Sequence, residues 1–136
     1  QSLSDFGTIR GLHYQLAPYA QAKLIRVLQG KIYDIAVDIR QNSPTYGKHF
    51  GIELSADNKT QVFIPHGFAH GFSVLSKETI VFYKTDHYFH KESERGIKYN
   101  DPELNIDWKI DLSESILSSK DKVLPSFKES EKNFYF

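Results

Sequence analysis

From Lys23 onward, apolar and polar side chains alternate in short runs, the period of a strand rather than of a helix. In Lys31 to Ile39, Tyr33, Ile35, Val37 and Ile39 take one face while Asp34, Ala36 and Asp38 take the other. Leu24 to Leu28 is a second apolar, β-branched stretch. Gln29-Gly30 between them has the chemistry of a two-residue turn, which predicts an antiparallel hairpin. Further strands are predicted at Gly51 to Leu54, Val62 to Ile64, Gly71 to Leu75 and Thr79 to Thr85. Turn chemistry separates them at Asn42 to Gly47, Ala56 to Lys59 and Pro65 to Gly67. The spacing predicts an all-β barrel or sandwich, with a short helix or turn expected only within Leu112 to Lys122.

A chain of 136 residues with 40% apolar content can form one ordinary core. We expect a single domain over 1–125 and a tail over 126–136, where Lys and Glu mix with Phe134, Tyr135 and Phe136; the tail is mobile or docks on another subunit. Seventeen basic residues balance seventeen acidic ones, so no global field favours nucleic acid or an anionic membrane, and any anion must be held by a local site. The absence of cysteine excludes disulfides, thiolate metal sites and cysteine nucleophiles, and fits a cytoplasmic protein. No apolar run approaches the roughly 20 residues of a bilayer span. The chain begins at Gln1 and contains no methionine, from which we expect that its natural beginning, with upstream strands, is missing.

Two clusters carry candidate chemistry. Arg10 to Gln15 reads RGLHYQ; extended, it places Gly11, His13 and Gln15 on one face and Arg10, Leu12 and Tyr14 on the other. Phe63 to Phe72 reads FIPHGFAHGF, with His66 and His70 four apart. Four residues bring two imidazoles to one face only in a helix, and the prolines and glycines here oppose one, so a metal site is not expected. In Thr79 to Thr85, Tyr83 can face inward, as a core ring or as an acid. Lys23 shares the parity of Ile25 and Val27, so it sits at the wet end of an apolar face or snorkels from it.

Taken together, RGLHYQ, the stretch AKLIRVLQGKIYDIAVDIRQNSPTYGK from Ala22, GIELSADNKTQVFIPHGFAHGFSVLS from Gly51, YNDPELNIDW from Tyr99 and LSSKD from Leu117 resemble, in order and separation, the signature blocks of the dTDP-4-dehydrorhamnose 3,5-epimerase family. The likeness runs to about Ser126. It implies a cupin-like jelly-roll barrel of antiparallel strands, usually homodimeric, with no metal and no organic cofactor. The sequence has no His-x-His pair at the position where many cupins hold a metal.

The resemblance also assigns roles. His13 would be the base and Asp121 its partner, Tyr83 the acid, and Lys23 the cation at the enolate oxygen. His70 would be a pocket residue with Asp34 beside it. Arg10 would bind the diphosphate, helped by Ser2 and Gln15. Phe89 falls where many relatives carry a tyrosine. The implied reaction is inversion at carbons 3 and 5 of dTDP-4-dehydro-6-deoxy-D-glucose, on the way to dTDP-L-rhamnose for cell-surface polysaccharide. Two alternatives stand beside it: a 3- or 5-mono-epimerase of another nucleotide-linked 4-keto sugar, and a non-catalytic sugar-nucleotide binder.

Overall fold

A computed structural model describes residues 1–136. Nine strands form in chain order: β1 Ser2–Ser4, β2 Ile9–Gln15, β3 Lys23–Gln29, β4 Lys31–Asp38, β5 His49–Ser55, β6 Val62–Ile64, β7 Phe68–Val74, β8 Thr79–Thr85 and β9 Glu94–Gly96. The single α-helix, α1, is one turn at Ser119–Lys122. No helix is long and apolar enough to cross a membrane.

The strands divide into two antiparallel sheets, a four-stranded one ordered β1-β8-β3-β6 and a five-stranded one ordered β5-β4-β7-β2-β9. The expected jelly-roll barrel is therefore corrected: antiparallel strands dominate, but the hydrogen-bond ladder does not close. Each sheet ends on edges that do not pair with the other sheet, three of the four being strands of only three residues. The expected hairpin at Gln29-Gly30 is corrected too, because β3 pairs with β6 and β8, whereas β4 pairs with β5 and β7. Gly30 turns a corner from one sheet to the other. Its φ of +85° suits glycine, and a Cβ there would lie 2.4 Å from the Thr79 hydroxyl.

The period-2 pattern explains the layers. Ile25 and Val27 of β3, Ile64 of β6 and Val81 of β8 meet Ile32, Ala36, Leu54, Phe72 and Val74 of the larger sheet in a buried core between the sheets. The opposite face of the larger sheet, with Ile9, Leu12, Ile35, Val37 and Ala69, is covered by the irregular chain after β9 through Ile97, Leu104, Trp108 and Phe127. Both faces of β4 are thus buried, including the one that carries Asp34 and Asp38.

That covering segment is fastened by buried polar groups that bond its backbone. Buried Asp101 accepts from the backbone N–H of Glu103, Leu104 and Phe127. The Trp108 indole donates to the Tyr99 carbonyl, and Ser73 donates to the Trp108 carbonyl. Beyond Ser126, Phe127 is buried and Tyr135 forms a parallel bridge with Gln41. The outer face of the four-stranded sheet has no such cover: Leu3 (67% exposed), Phe63 (62%), Leu24 and Leu28 stand in solvent.

Candidate active site

At one end of the space between the sheets the core gives way to a cavity of about 640 Å³. Arg10, His13, Lys23, His70, Tyr83 and Asp121 all line it. Strict alternation would put Arg10 and His13 on opposite faces. A bulge in β2 resolves this: Arg10 pairs with Phe72 and His13 with His70, so three steps on β2 match two on β7 and both side chains turn inward. The bulge requires a very close approach of backbones. A Cβ on Gly11, where φ is +123°, would lie 2.6 Å from the Gly71 Cα, and one on Gly71 would lie 2.6 Å from the Arg10 carbonyl.

His13 Nε2 lies 2.6 Å from Asp121 Oδ1. An ionised carboxylate only accepts, so Nε2–H is the donor and Nδ1, which has no hydrogen-bond partner, is left as the basic nitrogen. Asp121 reaches the imidazole across 108 positions of sequence because Ile116 pairs in parallel with Thr8 beside β2. Ser118 then caps α1 by accepting the Asp121 N–H, and Asp121 Oδ2 accepts the Gly11 N–H at 3.1 Å. Burial alone would raise the Asp121 pKa. The hydrogen bond and charge of His13, the Gly11 N–H and nearby Lys120 outweigh it and hold the carboxyl below its ordinary value.

Beside this pair, His70 Nε2 donates to Asp34 Oδ2 at 2.8 Å, with both side chains buried. Lys23 makes no ion pair, and burial lowers its pKa against the opposing pull of Asp34 and Glu94. Tyr83 pairs across the sheet with Ile25, which turns it toward the cavity, where it is 45% exposed. Arg10 donates through Nε and Nη2 to the Ser4 hydroxyl. Ser2 lines the same wall, and its buried hydroxyl has no partner.

Gln15 behaves differently from the expected phosphate contact. Its amide nitrogen donates to the carbonyls of Tyr19 (2.7 Å) and Tyr88 (3.4 Å), and its oxygen accepts the His90 N–H. Neither N–H remains for an anion. Sequence reasoning missed Ser4, although it has the parity of Ser2 in β1, and missed the Lys120–Glu94 ion pair in the cavity wall, which has no local signal. His66, the other histidine of the second cluster, lies apart from His70 on the surface, bonded to Asp86.

Two antiparallel sheets that enclose a cavity lined by an oriented imidazole, a lysine and a tyrosine define a two-sheet β protein with groups able to take and return protons between its sheets. The family model for dTDP-4-dehydrorhamnose 3,5-epimerase matches residues 1–129, and the chain belongs to that family. It is 53% identical over 120 residues to the dTDP-4-dehydrorhamnose 3,5-epimerase of Shigella flexneri, a match covering 88% of this chain and 65% of that protein. Among solved structures it is similar to the dTDP-6-deoxy-D-glucose-3,5-epimerase of Legionella pneumophila in complex with dTDP-4-keto-L-rhamnose, with TM-score 0.90 and 48% identity over 94% of this chain and 67% of that one. It is also similar to a 3'-monoepimerase from Streptomyces bikiniensis in complex with dTDP-quinovose, with TM-score 0.86 and 31% identity over 93% and 64% of the two chains. The chain thus spans about two thirds of the length of these relatives.

Proposed function

We propose that this protein epimerises carbons 3 and 5 of dTDP-4-dehydro-6-deoxy-D-glucose, giving dTDP-4-dehydro-L-rhamnose for dTDP-L-rhamnose synthesis. The observation that carries the reading is the His13–Asp121 pair at 2.6 Å on the wall of a cavity large enough for a hexose. A proton on carbon beside a ketone is acidic only because the anion is an enolate, with its charge on oxygen. His13 takes that proton through Nδ1, and Asp121 stabilises the imidazolium that results. Lys23, held without an ion-pair partner, stabilises the enolate oxygen more than the ketone. Tyr83, from the facing sheet, returns a proton to the other side of the carbon, which inverts it. His70 lines the pocket floor and Asp34, behind it and outside the cavity lining, braces it, and Arg10 takes the diphosphate through its guanidinium.

Turnover in deuterium oxide tests this directly. Label at both carbons is expected; wild-type protein that introduces none would end the reading. Label at one carbon alone would support the second reading, a mono-epimerase, which the likeness to the Streptomyces bikiniensis enzyme motivates. Substrate that binds without exchange would mark a non-catalytic binder. We also propose a homodimer that covers Leu3, Leu24, Leu28 and Phe63, since burying that sheet face offsets the cost of its exposure. Light scattering that gives a monomer mass would exclude it.

A further inference from the structure

Gln15 is 3% exposed and uses its amide to join two separate loops at the mouth of the cavity. One loop follows β2 and contributes the Tyr19 carbonyl; the other follows β8 and contributes the Tyr88 carbonyl and the His90 N–H. The same two loops are joined again by the rings of Tyr19 and His90, stacked at 3.7 Å and 5°. Three further fastenings hold the nearer end of the second loop: Gln21 donates to the His87 carbonyl, Asp86 accepts the Ala22 N–H, and the Asp86 N–H donates to the Ala22 carbonyl. Held between these points are Tyr88, 97% exposed, and Phe89, 62% exposed, both on the cavity rim. Rings so exposed have little packing of their own to fix them, so their position is inherited from the backbone that carries them.

We infer that Gln15, which lines the cavity, is a positioning residue: its side-chain amide clamps the loop of residues 86–90 to the loop after β2 and so fixes the aromatic rim over which the ligand enters, its hydrogen bonds being spent on the loops rather than on the ligand. The inference rests on the proposed function for the identity of that ligand, but not for the clamp. A glutamine suits the task because it alone among uncharged side chains of that length offers two donors and an acceptor at once. Leucine has a similar volume and offers none. Glutamate keeps the acceptor for the His90 N–H and loses both donors.

The test uses the full chain with Gln15→Leu and Gln15→Glu, read in three ways. Hydrogen–deuterium exchange of the segment 86–92 should rise at least about tenfold in Gln15→Leu, the scale expected when the bonds that fix a loop are lost, with a smaller rise in Gln15→Glu and none in the strands. KM for the dTDP-linked 4-keto sugar should rise by at least about fivefold while kcat falls less, the split expected of a group that shapes binding rather than chemistry. Binding of dTDP alone should weaken in the same order. Unchanged exchange in either variant would overturn the clamp, as would a fall in kcat with KM unaltered. Should Gln15→Leu fail to fold, Gln15→Glu decides by the same readings. If wild-type protein binds dTDP but turns nothing over, the proposed function fails, and the exchange and dTDP arms still judge the clamp.

Discussion

His13 and His70 are cross-strand neighbours on one sheet, and each donates Nε2–H to an aspartate, yet their settings differ. The His70–Asp34 pair is built from adjacent strands of the sheet, and its side chains are 8% and 1% exposed. The His13–Asp121 pair joins the sheet to a one-turn helix near the other end of the chain, and the His13 side chain is 26% exposed. A carboxylate behind an imidazole is common to both, so on the proposed function it does not by itself single out the base. What distinguishes His13 is that its free nitrogen is presented to an accessible cavity, while the deeper pair is held as part of the wall.

The largest expected effect follows from that contrast. His13→Ala and Asp121→Asn should each lower turnover by at least about 10²-fold, measured as deuterium incorporation, with His13→Ala leaving the fold intact. An equal or greater loss in Asp34→Asn would reverse the ranking of the two pairs. Next is the bulge that brings both histidines to one face: Gly11→Ala should cost roughly 2–3 kcal/mol in urea unfolding, because it combines a strained φ with backbone collision. A cost near zero would mean that the strands can part without penalty.

Asp34→Ala should cost about 1–2 kcal/mol in the same assay, since it strands a buried Nε2–H donor. His13→Ala should cost less, its ring being the more exposed. The smallest effect is an acid limb. The Asp121 pKa lies below its unfolded value, so its contribution to stability is fully present above the ordinary carboxylate range and is lost as pH falls through the folded value. Asp121→Asn should flatten that part of the stability–pH profile, leaving the part due to Asp38, whose pKa burial would raise but which Arg40, Ser43 and Thr45 hold well below the usual range.

The elements with period 2 were legible in the chain: β6 and β8 have the expected bounds, and β4 differs by one residue at its end. Their partition into sheets was not, because alternation defines which face is apolar but not which strand lies alongside. Gly30 reads as a tight hairpin until Thr79 and Ser76 are seen to crowd it. Within the site, Lys23 and Tyr83 face inward as their parity allows. Arg10 and His13 share a face that parity denies, since a bulge adds one residue and shifts every later assignment. Asp121 carries no local signal; only resemblance across the whole chain pointed to it. Gln15 was legible as an inward residue but not as a bond between loops, one side of which depends on backbone groups more than 70 positions away.

Because the carboxylate that orients His13 follows it by 108 residues, the order of synthesis matters. A ribosome delivers the imidazole, then every strand of both sheets, and only afterwards the turn of helix that supplies its counter-charge. On the proposed function, the group that orients the imidazole is thus separable from the sheets in the chain: a stop between Gly96 and Ser119 would spare the sequence of all nine strands and remove the counter-charge of His13.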